Sequence, residues 1–206
     1  LSHWENKIDL SHELTQAKTL GATVVTLADE NYPENLRNIY DPPLVLYVKG
    51  KLEAKDKKAF ALIGSRNATY YGKEIARKMG FQLAYAGFTV ISGLARGIDT
   101  ACHEGALAAK GRTLAVLGCG IDQVYPSENS FLAEKIAESG AVLSEFPIGT
   151  SPDRQTFPIR NRIVSGLSMG LVVIEAAKNS GALITARMAL EQGRQVFAVP
   201  GRVDTP

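Results

Sequence analysis

Cysteine is nearly absent from this chain of 206 residues. Cys102 and Cys119 each sit among small apolar residues rather than in a spaced framework, which excludes a disulfide scaffold and fits the reduced core thiols of a cytoplasmic protein. Histidine is almost as scarce. His3 and His12 lie near the amino terminus, so His103 stands alone in the main body and a histidine-rich metal centre there is excluded. No apolar run approaches a membrane span; the longest, Leu171 to Ala177, has Glu175 inside it, and no membrane partner is expected. An excess of one charge is missing too. With 23 Lys+Arg against 21 Asp+Glu the net charge is +2, so a polyanionic partner has to be argued from a local patch rather than from bulk charge.

Several motifs are also missing. There is no Gly-x-x-x-x-Gly-Lys-Ser/Thr loop, which removes support for P-loop ATP hydrolysis, and no Gly-x-Ser-x-Gly elbow. Gly118-Cys119-Gly120 resembles the start of a dinucleotide fingerprint, but Gln123 stands where the third glycine belongs and Tyr125-Pro126 interrupts a following helix. No cofactor is implied. Ser92, Asp99 and His103 suggest a hydrolase at first sight, but Asp99 is well placed as a helix cap, which is the favoured reading.

What is present is an ordinary globular mixture, 45% apolar and 21% charged with 19 glycines, in a chain long enough for one large domain or one domain plus an appendage. From Ala59 onward short β-branched runs alternate with helical stretches. The strand candidates are Ala59–Ile63, Thr89–Ile91, Thr113–Leu117, Val142–Ser144, Leu171–Glu175 and Gln195–Val199. Each is brief and apolar throughout, as when helices cover both faces of a sheet. The fold class is therefore α/β, a Rossmann-like doubly wound, mostly parallel sheet with a small N-terminal extension.

Thr69 is expected to cap a helix bearing Ile75, Met79 and Leu83 and ending at Gly87. Asp99 is expected to cap a second helix, ending near Gly111, and Ser180 a third, ending at Gly193; a fourth spans about Asn129 to Ser139. Upstream, residues 3–20 look helical, 23–27 look like a strand, and Pro33, Pro42 and Pro43 force a turn-rich path into a strand over Leu44–Val48. Lys51 to Lys58 reads as a charged, solvated connector. The chain begins at Leu1 and stops at Thr205-Pro206, so it is expected to be a piece of a longer protein, with 1–22 a helical remnant of a preceding domain and 23–206 the Rossmann-like domain.

The signals for a ligand lie in the turns. Gly64-Ser65-Arg66 follows the first strand of the alternating region, where a doubly wound sheet brings a phosphate to backbone N–H groups and a helix N-terminus. Ser92 to Asp99, with Arg96, repeats the arrangement, and so does Ser180 to Thr185. Three such turns converge on one crevice. Arg160, Asn161 and Arg162, within Phe157 to Leu167, add two guanidiniums in what reads as a loop before a strand; they suit a phosphate, or alternatively a surface ion-pair network.

Gly64-Ser65-Arg66, Ser92 to Asp99, Ala115 to Asp122 with Tyr125-Pro126, Ser144 to Pro147, Phe157 to Ile163, Ser180 to Ala186 and Val199 to Gly201, led in by Asn31 to Pro33 and Asp41 to Tyr47, together resemble the DNA-processing protein A family, DprA or Smf. The resemblance implies a protein that binds and protects incoming single-stranded DNA and loads the RecA recombinase in natural transformation, often as a homodimer, and that is not an enzyme. It places phosphate binding on Gly64, Ser65 and Arg66, and puts a basic residue at Arg154 three before a stacking aromatic, Phe157, followed by Arg160, Asn161 and Arg162. Arg96, Ser180 and Thr185 join them from the converging turns. Two alternatives stay open. A nucleotide phosphoribohydrolase characteristically shows Pro-Gly-Gly-x-Gly-Thr followed by a glutamate, where this chain has Pro200-Gly201-Arg202 and an earlier Glu175; a small-nucleotide sensor would use the same crevice.

Overall fold

The computed structural model describes residues 10–178 and 180–201. Helix α1 (Ser11–Thr19) leads into β1 (Ala22–Thr26), the short α2 (Glu34–Arg37) and β2 (Val45–Gly50). Then β3 (Ala59–Gly64), α3 (Tyr70–Tyr85), β4 (Thr89–Ser92), α4 (Ile98–Ala108), β5 (Thr113–Val116), α5 (Ser130–Ser139) and β6 (Ala141–Ser144) alternate. The chain closes with α6 (Thr156–Gly166), β7 (Gly170–Glu175), α7 (Gly181–Glu191) and β8 (Gln195–Ala198). The strands form one eight-stranded sheet in the order β1-β2-β6-β5-β4-β3-β7-β8. From β6 to β8 all neighbours are parallel, and β1 and β2 add an antiparallel edge beside β6.

Alternation along the strands sends residues to the two faces of the sheet. Ala59, Ala61 and Ile63 of β3 meet Ile163 and Val164 of α6 and Ala182 and Ala186 of α7 on one face. On the other, Leu62 of β3 and Val172 and Ile174 of β7 meet Ala76 and Ala84 of α3 and Ala101 and Cys102 of α4. Both faces are covered, so the short central strands β4, β5 and β6 are buried along their whole length. The chain leaves β3 for β4, β5 and β6 on one side and returns to β7 and β8 on the other. The loops at the carboxyl ends of β3 and β7 therefore diverge, and that divergence opens a crevice.

Helix α3 is capped as the sequence predicts: Thr69 Oγ1 accepts the Gly72 N–H at 3.0 Å, and Gly87 ends the helix at φ +85°. Its fully buried residues are all small, Gly72, Ala76, Gly80 and Ala84, and the expected stripe of Ile75, Met79 and Leu83 packs half-buried against the core beside them. A side chain on Gly80 would strike the Cys102 carbonyl, and one on Gly105 would strike the Arg77 carbonyl, so α3 and α4 approach with their backbones almost touching. Cys102 and Cys119 are buried and free. Helix α1 falls within the expected 3–20, and residues 1–9 lie outside the described residues.

Three expectations change. Residues 156–166 are helical, not a loop, because Pro158 falls in the first turn, where no N–H partner is needed, and Ile163, Val164 and Leu167 form an apolar stripe onto the sheet. Asp99 does not cap α4; the cap is Gly97, and Asp99 lies inside the first turn with its carboxylate turned back to the preceding loop. The Lys51 to Lys58 segment is not simply a solvated connector. Its 3-10 turn, Ala54–Lys57, drives Asp56 into the interior, where Arg112 Nη2 donates at 2.8 Å and Thr89 Oγ1 at 3.0 Å. Removing one partner of a buried ion pair strands the other charge, a loss of about 3–5 kcal/mol. Asp56→Ala is thus expected to lower the urea unfolding free energy by about that amount, and Asp56→Asn, which keeps an acceptor for Thr89, by less. An unchanged urea midpoint in both variants would return the segment to a passive link.

Candidate functional site

The crevice at the carboxyl ends of β3, β4 and β7 measures about 480 Å³, and its walls come from three turns and one helix. Gly64, Ser65 and Arg66 come from the β3 turn, Arg154, Phe157, Arg160 and Asn161 from α6 and the loop before it, and Ser180 and Thr185 from the start of α7. Arg96 lines an adjoining lobe with Arg66, Tyr125 and Phe157. Arg162 lines neither.

Arg66 is exposed, and its guanidinium carbon lies 4.8 Å from the centroid of the Phe157 ring. Tyr125 flanks the same ring, 5.7 Å away between centroids. Phe157 fits because position 118 is glycine; a Cβ there would come 2.7 Å from a ring carbon. Thr156 Oγ1 ties the start of α6 to the Gly118 carbonyl, an anchor that nothing in the sequence marks.

Below them Arg160 is 4% exposed. Its Nη1 donates to the carbonyl oxygens of Gly93, at 2.7 Å, and Val116, while its Nε has no protein partner. Its guanidinium packs against Gly93, where a side chain would collide with it. Asp99, also buried, accepts the Gly93 and Ala95 N–H groups at 3.1 and 3.3 Å. Burial raises the Asp99 carboxyl above the ordinary carboxylate range, and Arg160 opposes that rise. Burial pushes the Arg160 guanidinium down to about 10 while Asp99 holds it up, so it keeps its charge at neutral pH. Between them Leu94 adopts a left-handed backbone, φ +58°, with its carbonyl taken by Asn129 Nδ2 at 2.8 Å. Such strain in a bulky residue gathers at functional turns.

The first turn departs from the expected phosphate seat. Thr69 donates to Glu175 from its N–H, at 3.1 and 3.2 Å, and from Oγ1, at 2.6 Å, so a carboxylate of the chain itself sits on the N-terminus of α3. Gly72 leaves the room for it, and Ser65 N–H donates to the Glu175 carbonyl at 2.7 Å. That helix end attracts an anion, and the anion is already supplied. Donors remain at Arg66, at Arg154, which makes no ion pair among the described residues, and at Ser180, whose buried Oγ has no protein partner. Thr185 Oγ1 is used within α7, on the Gly181 carbonyl at 3.2 Å.

Two expected arginines are already committed. Arg162 donates to Glu145, at 2.6 Å from Nη1, and to the Asp41 carbonyl at 3.0 Å, tying α6 to two loops; here the ion-pair reading describes what it does. Arg96 forms a two-pronged pair with Glu128, both bonds 2.8 Å, on an open surface. Glu175 and Asp99 are the residues whose roles the sequence reading missed. The pairing of Glu175 with Thr69 spans more than a hundred positions, and no local pattern announces it.

The model of the DNA recombination-mediator protein A family matches residues 23–206. The chain belongs to that family. It is 42% identical over 198 residues to DNA processing protein DprA of Bacillus subtilis, covering 96% of this chain and 67% of that protein. Its fold superposes with a TM-score of 0.87 on DprA of Streptococcus pneumoniae, at 40% identity, covering 96% of this chain and 69% of that one. With DNA processing protein A of Helicobacter pylori, a protein with a described single-stranded DNA binding mode, the TM-score is 0.80 at 31% identity, covering 90% of this chain and 84% of that one. The chain spans between about two fifths and two thirds of the length of the curated relatives it matches.

His103 lies behind this floor, fully buried, with Nδ1 2.7 Å from Thr113 Oγ1 and Nε2 unpartnered. Burial, seconded by the Arg160 charge, pushes its pKa down to about 3. The folded state therefore refuses a proton that the unfolded chain accepts near pH 6.5, so the stability His103 contributes is present above that pH and drains away as pH falls toward 3. The difference in unfolding free energy between the natural chain and His103→Gln is expected to shrink by about 1.4 kcal/mol per pH unit from about pH 6 to about pH 4. A difference independent of pH would show that His103 is protonated in the fold.

Proposed function

We propose that this domain holds single-stranded DNA in the crevice, with phosphates on Arg66, Arg154 and Ser180 and a base on the face of Phe157. The observation that carries the reading is the Arg66 guanidinium lying over the Phe157 ring at 4.8 Å, beside unpartnered donors. A nucleotide satisfies both halves of that contact at once: its base stacks on the ring and its phosphate draws the guanidinium aside. Stacking plus backbone charge suits single strands without sequence preference. The Helicobacter pylori relative, with its single-stranded DNA binding mode, supports the same choice of ligand.

The family's description as a recombination mediator supports a further step, in which the bound strand is protected and delivered to RecA; in the proposed reading a homodimer does this in the cytoplasm. The role is binding rather than catalysis. Asp99 is the one carboxylate among the residues lining the crevice, and it is held by two backbone N–H groups; Glu175 is held at α3, which leaves a phosphoribohydrolase without its base. The size of the crevice, about 480 Å³, falls in the range of small-ligand sites and favours a small nucleotide as the second reading. Competition between oligothymidylate and nucleoside monophosphates separates the two.

Single strands are expected to bind more tightly than duplex, with affinity falling as salt rises at a log–log slope of about −2 to −4, near −0.7 per phosphate. Gel shifts at several salt concentrations measure this, and a flat salt response or a preference for duplex refutes the reading. Arg66→Ala is expected to weaken binding by about 1–3 kcal/mol and reduce the slope, with little change in melting temperature because the side chain is exposed. Phe157→Leu is expected to cost a similar about 1–3 kcal/mol with the slope unchanged. If Phe157→Leu lowers stability and leaves affinity intact, the ring belongs to the core alone.

A further inference from the structure

Helix α3 packs Ile75, Met79 and Leu83 beside its buried Gly72, Ala76, Gly80 and Ala84, yet it turns its large aromatics outward. Tyr70 is 81% exposed, Tyr85 79%, Tyr71 42% and Phe81 40%. Tyr70, Phe81 and Tyr85, at spacings of eleven and four, fall on one side of a helix with 3.6 residues per turn, and Lys78 borders them. Phe81 and Tyr85 already lie parallel, 6.0 Å between centroids and 9° between planes. Aromatic area left in water across the length of one helix marks a surface that meets a partner.

The charges alongside select the partner. Lys73 and Lys78 are exposed and make no ion pair among the described residues, while Arg77 is balanced by Glu74 and Glu104. The face thus combines open rings with uncompensated cations, the composition that recognises a flexible polyanion carrying planar groups. Its position points the same way. Tyr70 is the first residue of α3, one residue after Thr69 and four after Arg66 at the mouth of the crevice, and Tyr85 lies about 22 Å farther along at 1.5 Å per residue.

We propose that the outer face of α3 is a second stacking platform, on which a single strand leaving the crevice continues along Tyr70, Phe81 and Tyr85 with its phosphates on Lys73 and Lys78. The inference rests on the crevice being the first DNA site. The crevice takes the nucleotides nearest Phe157, and the helix takes those that follow. Affinity therefore grows with strand length beyond what fills the crevice.

Fluorescence anisotropy with labelled oligothymidylates tests it, using a short probe of about 5 nucleotides and a long one of about 20, which bracket the site sizes of single-strand binders. Tyr70→Ala and the double variant Phe81→Ala/Tyr85→Ala are expected to weaken the long probe by about 5- to 100-fold and leave the short one unchanged. Tyr85→Trp, which keeps a stacking face, is expected to retain long-probe affinity. Arg66→Ala is expected to weaken both. Unaltered long-probe binding in the α3 variants overturns the platform while Arg66→Ala still upholds the crevice. An Arg66→Ala variant with natural affinity, beside weakened α3 variants, removes the crevice instead and keeps the platform. If the α3 variants change the sedimentation of the protein but not its DNA binding, the face is a contact between copies of the chain and the platform is wrong. Because the replaced side chains are exposed, unchanged melting temperatures are expected in all of them.

Discussion

Arg160 reaches out of α6 to carbonyl oxygens at the ends of β4 and β5, and the crevice takes its floor from that contact. One buried guanidinium fixes a helix against two strands, in surroundings where each bond is strong and a missing partner is costly. A side chain at Gly93 would collide with that guanidinium, and Asp99 supplies the counter-charge while pinning the Gly93 and Ala95 amides. Phe157 stands three residues before Arg160, on the same side of α6, so the ring under Arg66 keeps its place only while Arg160 keeps its own.

This arrangement explains how a nearly neutral chain presents a basic crevice. Arg77, Arg96, Arg112 and Arg162 are matched by Glu74 and Glu104, Glu128, Asp56 and Glu145, and their charge is spent on holding elements together. Arg66 and Arg154, at the rim, make no ion pair among the described residues. The seat that a dinucleotide fold reserves for pyrophosphate is closed by Glu175, so an anionic ligand is directed to side-chain arginines rather than to the α3 amides. A ligand with a repeating backbone charge suits such a rim better than one compact phosphate pair.

Much of the fold was legible because its signals are local. Brief apolar runs such as Thr113–Val116 declare a sheet covered on both faces, and Thr69 and Gly87 mark the two ends of α3. The resemblance gathered Gly64, Ser65, Arg66, Arg154, Phe157 and Asn161, which do meet in one crevice. Helix α6 was missed because Pro158 reads as a breaker unless it is known to stand in a first turn. The division of labour among the arginines was illegible for a different reason. Arg160, Asn161 and Arg162 are neighbours in sequence, but helical geometry sends Arg160 into the floor and Arg162 to Glu145, and the acids that claim them come from distant segments. Asp56 and Arg112 conceal their pairing in the same way, fifty-six positions apart.

The bare contact between α3 and α4 restricts how this helix can diverge. At Gly80 and Gly105 any side chain would enter the opposing backbone, so the inward register of α3 is frozen and the pair cannot slide or respace without rebuilding α4. The freedom to vary is left to the outward positions, which do not enter the contact with α4. The rings of Tyr70 and Tyr85, 81% and 79% exposed, could be exchanged without disturbing the contact between the two helices.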